Sequence, residues 1–194
     1  MDESGRQTPA PARVVVVMGV SGCGKSTVAA RLAELLGGSF KDGDELHPPG
    51  NIAKMERGEP LDDDDRMPWL AAVRDHSRTA AGVSGLHVVA CSALARRYRD
   101  VLDGAGDVTY VFLEGSYELI ASRMSERKGH FMPAELLRSQ FDALDSPKGE
   151  PDTVTVDVGP PAEEVALAAA RALRERFGLP APGATAGDAP GAAS

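Results

Sequence analysis

Apolar positions along the chain fall into two alternating patterns. Short runs with few polar breaks, at residues 14–17, 86–91, 108–113 and 154–158, are rich in Val and suit strands buried on both faces. A briefer strand is expected at 39–41. Between these runs lie stretches whose apolar residues recur at helical spacing, at 26–36, 69–81, 93–102, 117–124, 133–144 and 161–177. Pro68 and Pro161 suit helix openings, and Ser92 is placed to cap the helix that starts at residue 93. Residues 47–51, HPPGN, read as a turn, 52–57 as a short helical turn ended by Gly58, and 59–65 as an acidic loop. Five strands alternating with helices predict an α/β domain: a five-stranded parallel sheet with helices on both faces and right-handed crossovers.

The first strand runs straight into a glycine-rich turn. Residues 13–30 read RVVVVMGVSGCGKSTVAA, where Gly19, Gly24, Lys25 and Ser26 satisfy G-x-x-x-x-G-K-[ST]. Glycines let the backbone approach phosphate oxygens, and the start of a helix aims N–H groups at an anion. In such a loop Lys25 reaches the β- and γ-phosphates and the Ser26 hydroxyl sits on Mg²⁺. Strand, turn and helix all fall where that chemistry needs them. A nucleoside triphosphate is therefore the expected ligand.

Composition narrows the choice of partner. A net charge of -8 gives no general electrostatic footprint for nucleic acid, so a small-molecule partner is expected. No segment reaches membrane-span length, and the first residues lack the apolar stretch of a secretory signal, which points to the cytoplasm. Two cysteines, Cys23 in the loop and Cys91 at a strand end, do not form a disulfide framework. Residues 1–12 and the Gly/Ala/Pro-rich 178–194 read as disordered tails around one domain at 13–177.

A phosphate loop serves kinases, GTPases, transport ATPases and passive nucleotide-binding modules alike. Two features favour a small kinase. The strand at 86–91 ends in Cys91 rather than Asp, so the carboxylate ordering the Mg²⁺ shell is expected to be Asp42, which leaves Asp44 for the acceptor hydroxyl. Residues 122–131, SRMSERKGHF, are basic and glycine-containing and lie where a lid belongs; the lid is expected at about 123–133, with Arg123 and Arg127 reaching phosphate.

Four segments together resemble the gluconate kinases (gluconokinases), P-loop small-molecule kinases related to the shikimate kinases: GVSGCGKSTVA from Gly19, DGDELHPPGNIAKMERGEPLDDDDRMPWL from Asp42, CSALARRYRD from Cys91 and RKGHFMPAELLRSQFDALDSP from Arg127. The resemblance covers roughly residues 14–177. It implies a P-loop kinase fold and transfer of phosphate from ATP to D-gluconate, with Mg²⁺, giving ADP and 6-phospho-D-gluconate. A homodimer is implied as well. Carried over by position, Gly19, Val20, Ser21, Gly22, Cys23, Gly24, Lys25, Ser26 and Thr27 would hold the ATP phosphates. Asp42 and Asp44 would serve metal and acceptor, with Lys25, Asp44 and Arg127 as the catalytic set. Departures are mild: Cys23 replaces the small residue often found there, and Lys41 stands where the family often has an apolar one. Gluconate is an anion bearing a row of hydroxyls, so its pocket needs a cation and several donors and acceptors. His47, Asn51, Lys54, Arg66 and Arg99 are the candidates, with Arg66 favoured for the carboxylate because a planar fork binds it at two points. The alternatives are a kinase of another small acid such as shikimate, or a nucleotide-binding module without turnover.

Overall fold

The computed structural model describes residues 12–126 and 134–179. Strand β1 (Arg13–Met18) lies at the centre of a five-stranded parallel sheet of order β2-β3-β1-β4-β5, with β2 at Ser39–Asp42, β3 at Leu86–Ala90, β4 at Asp107–Glu114 and β5 at Thr153–Asp157. Side chains alternate across a strand, so the valine run serves two cores at once. Val15 and Val17 pack with helices α1 (Lys25–Leu36) and α7 (Ala162–Phe177). Val14, Val16 and Met18 pack on the other face with α3 (Asp63–Ser84) and α4 (Arg96–Leu102). The chain moves outward from β1 to β2 and β3 on one side, then returns past β1 to β4 and β5. That reversal opens a crevice at the carboxyl end of β1, where α/β sheets bind their ligands.

The acidic run differs most from its expected loop. Asp62 caps α3 with Oδ1 accepting from the Asp65 N–H at 3.0 Å, and Asp65 Oδ2 accepts from the Asp62 N–H at 3.1 Å. This reciprocal capping box turns residues 63–65 into the first helical turn, where the helix dipole favours acids. Pro68 therefore stands inside α3 rather than at its start. Asp64, whose carbonyl loses its partner to the proline, is exposed to solvent. Helix α2 (Pro49–Glu56) likewise starts earlier than expected, because Pro49 in the first turn forfeits an N–H that would have no partner anyway. Helices α5 (Tyr117–Glu126) and α6 (Ala134–Asp142) flank residues 127–133, so the lid segment lies largely outside the described residues. Gly178 closes α7 in the left-handed conformation and Leu179 is buried in the core, so the packed chain continues past residue 177.

Ser92 does not cap α4, which begins at Arg96. Its first N–H is capped from a distance, by Asp145 Oδ2 at 2.9 Å. Arg99, expected in the substrate pocket, takes part in the same join and is only 1% exposed. Its Nη1 donates to the Asp145 carbonyl at 3.0 Å and its Nη2 pairs with Glu150 Oε1 at 3.0 Å. Burial leaves a guanidinium no choice but to satisfy itself with protein oxygens, and here it ties α4 to the segment entering β5. Arg99→Ala should therefore cost about 3 kcal/mol, the lower part of the range for breaking a buried pair because Glu150 keeps some solvent. Urea unfolding checks the loss, and the KM for acceptor in the folded protein should not change.

Candidate active site

The loop between β1 and α1 separates its own amides into two groups. Gly19 N–H donates to the Ser92 carbonyl at 3.3 Å, Ser21 N–H to Gln140 Oε1 at 2.6 Å and Cys23 N–H to the Val20 carbonyl at 3.4 Å. The amides of Gly22, Gly24, Lys25, Ser26 and Thr27 have no hydrogen-bond partner among the described residues. The last three form the first turn of α1, so the open donors coincide with the positive end of a helix. Of the nine loop residues expected on phosphate, Gly19, Ser21 and Cys23 thus have their amides committed to protein. Gly22 has φ +81°, and a Cβ there would lie 2.5 Å from Met124 Cγ, so α5 packs directly on the bare backbone. Lys25 Nζ donates to the Val20 carbonyl at 3.0 Å, folding back over the loop, while Ser26 and Thr27 are exposed.

Facing this end of the sheet, β2 finishes in the Asp42-Gly43-Asp44 turn. Asp42 Oδ1 accepts from the Asp44 N–H at 3.0 Å, which holds one oxygen and leaves the other open. The Asp44 side chain is 78% exposed. A Cβ on Gly43 would meet the Ala90 carbonyl at 2.5 Å, so only glycine lets the turn lie this close to β3. Trp69 Nε1 donates to the Gly43 carbonyl at 2.8 Å, and its ring stacks on His47 at 4.2 Å between centroids. Trp69 is thus both part of the core and a support for the acidic turn.

His47 and Asn51 come together as a single unit. Asn51 Nδ2 donates to the Asp65 carbonyl at 2.9 Å, which fixes the amide orientation, and the same nitrogen lies 3.3 Å from His47 Nδ1. Nδ1 is then the acceptor, and the imidazole proton resides on Nε2. Nε2 is 3.9 Å from Asp44 Oδ1. Burial holds the His47 pKa below its ordinary value, outweighing the opposing pull of Asp44, so the ring is a neutral donor at pH 7.

Lys54 is spent on Asp65, with Nζ 2.6 Å from Oδ2. Arg66 does not pair with the acidic run beside it. Its Nη1 donates to the Tyr98 hydroxyl at 3.2 Å, and Tyr98 in turn donates to Asp63, which Arg97 neutralises. Between residues 47 and 99, seven of the eight lysines and arginines form ion pairs with carboxylates; Arg66 alone has none among the described residues. The Arg123 guanidinium donates to the Val158 and Gly159 carbonyls just after β5, the latter at 2.8 Å. Arg127 lies outside the described residues. Beneath the site, burial pushes the Cys91 thiol up to about 12, and the charges of Asp44, Lys25 and Asp42 all act on it. Such a thiol stays protonated and unreactive. Sequence reasoning passed over Tyr98 and Gln140; each acts across more than thirty residues of chain, and no local spacing marks them.

The chain can be compared with known proteins at this point. A family model described as an AAA domain matches residues 15–133. The thermoresistant gluconokinase of Escherichia coli is 42% identical over 164 residues, covering 84% of this chain and 94% of that protein. The gluconokinase of Gluconobacter oxydans is 45% identical over 157 residues, covering 80% of this chain and 88% of that protein. Among solved structures, a gluconokinase from Sinorhizobium meliloti superposes with a TM-score of 0.77 at 48% identity, covering 86% of this chain and 95% of the other. Identity of this order over nearly the whole of each relative, joined to an open phosphate loop facing a pair of carboxylates, places this chain in the gluconokinase family.

Proposed function

We propose that this protein transfers the γ-phosphoryl group of ATP to the primary hydroxyl of D-gluconate, giving ADP and 6-phospho-D-gluconate. The observation that supports an anionic acceptor is the unpaired Arg66 in a segment where every other cation is matched. A planar guanidinium resting on a tyrosine hydroxyl, with donors to spare, suits a carboxylate. Next to it, the neutral His47 Nε2–H and the exposed Asp44 carboxylate offer one donor and one acceptor to a polyol.

The open amides of Gly22, Gly24, Lys25, Ser26 and Thr27, with the Lys25 ammonium, would take the phosphates of ATP. In phosphoryl transfer the protein chiefly neutralises charge and sets the in-line approach. Asp44 orients the attacking hydroxyl and receives its proton as the new bond forms; a carboxylate is a weak base, so orientation is its larger part. The exposed Ser26 hydroxyl and the open oxygen of Asp42 are hard oxygen donors of the type Mg²⁺ takes alongside nucleotide phosphates. When bound, that ion would neutralise charge on the phosphate oxygens. Among the described residues no helix is long and apolar enough to cross a membrane, and we read the protein as cytoplasmic. We also read it as a homodimer; Ile52 and Met55, exposed on one side of α2, are apolar side chains a second copy could cover.

ADP release with Mg-ATP, across gluconate, shikimate, other sugar acids and no acceptor, tests the reaction. Release should require gluconate and vanish in Lys25→Ala; release indifferent to the acceptor would falsify the substrate. Asp44→Asn should lower kcat by about 10²-fold or more while the KM for ATP holds, the range for a positioned acid-base group. Arg66→Met should raise the KM for gluconate by about tenfold or more with little effect on the KM for ATP, as losing a charged hydrogen bond implies. Steady-state kinetics with each substrate varied in turn separates the two variants.

A further inference from the structure

We infer that Gln140 is a positioning residue for Lys25 and the phosphate loop, acting through the peptide unit that joins Val20 to Ser21. The inference rests on the nucleotide reading of that loop given above.

The N–H of this peptide donates to Gln140 Oε1 at 2.6 Å, a contact between residues 119 apart in sequence. Its carbonyl, on Val20, accepts from Lys25 Nζ at 3.0 Å and from the Cys23 N–H at 3.4 Å. Because a peptide is planar and trans, its N–H and C=O point in opposite directions, and holding one end aims the other. Gln140 therefore sets the direction of the carbonyl on which the Lys25 ammonium rests. It also consumes the Ser21 donor, which is thereby withheld from phosphate.

Gln140 is itself firmly mounted. On α6, Leu137 is buried, the Phe141 ring meets Tyr117 of α5 edge-on at 5.7 Å, and the Arg138 guanidinium lies 4.0 Å from the Tyr117 ring centroid. From the same side, Met124 and Ile120 of α5 press against Gly22. Two helices thus grip consecutive residues of the loop, one by packing and one by a hydrogen bond. Rigid supports of this type keep a binding constellation within the narrow tolerance that phosphate recognition needs. Phosphate is held by several amides converging on it, so a peptide free to rotate loosens both Lys25 and the neighbouring donors.

Titration calorimetry of ATP into the full chain tests the inference with two variants, Gln140→Ala and Gln140→Met; the methionine keeps the length and packing but has no comparable acceptor. Both should bind ATP about three- to tenfold more weakly, the range for one net hydrogen bond. The KM for ATP should rise in parallel, the KM for gluconate should stay within about twofold, and the thermal midpoint of Gln140→Met should match wild type. ATP affinity of Gln140→Met equal to wild type would overturn the inference. So would KM values for ATP and gluconate rising together as the midpoint falls, since that is the mark of a general loss of structure. Wild-type turnover that ignores gluconate would reject the acceptor alone, because the calorimetric arm contains none.

Discussion

A buried parallel strand that turns at once into a helix leaves the N–H groups of the helix's first turn with nothing inside the fold to bond. In this protein the amides of Lys25, Ser26 and Thr27 are in that position, joined by those of Gly22 and Gly24. Orphan donors are costly when buried, so the sheet places them at its open end, at the reversal of strand order beside β1. The surrounding parts answer to this constraint. Gly22 and Gly43 admit close backbone approaches, α5 and α6 brace the loop, and the Asp42 turn brings acidic groups to the same end of the sheet. An anion-binding row beside carboxylates needs a cation close by, and Lys25 stands within the loop.

Charge is managed with similar economy in the segment around the aspartate run. Four consecutive aspartates, Asp62 to Asp65, would crowd like charges in a loop. As a capped helix start they meet the helix dipole, and Lys54 and Arg97 neutralise two of them. Surface pairs of this type contribute little stability individually. Their larger effect is on position: Asp63 and Asp65 are matched by other cations, and Arg66 forms no carboxylate ion pair among the described residues. The same helix carries Trp69 under His47 and presents the Asp65 carbonyl to Asn51, so one capping box sets the cation, the tautomer and the acidic turn together.

Buried polar groups explain why residues of one type take different roles. Arg99 and Arg66 both lie in segments typical of the family, yet the first is enclosed and held through its two terminal nitrogens by Asp145 and Glu150, while the second donates to the Tyr98 hydroxyl and has no ion pair among the described residues. Arg123 is spent on carbonyls after β5. Enclosure forces a guanidinium to find protein acceptors, whereas Arg66, only partly enclosed, is left without a carboxylate partner among the described residues. Cys23 and Cys91 follow the same logic: both are buried, and burial, helped by the nearby Asp44 and Asp42 charges, holds the Cys91 thiol protonated.

The valine run, the glycine spacing and the alternation of short and long apolar stretches were sufficient on their own to determine five parallel strands, their helices and the phosphate loop, because each depends on residues close together in the chain. The helix at the acidic run was hidden, since like charges argue against a helix until a reciprocal cap and two distant cations are counted. The separation of Arg66 from Arg99, the protonated nitrogen of His47, the distant cap of α4 by Asp145 and the grip of Gln140 on Ser21 were decided only by tertiary structure. Each of these rests on a contact between segments that no local pattern pairs, and a polar side chain takes its role from whichever oxygen or nitrogen the folded chain brings within reach of it.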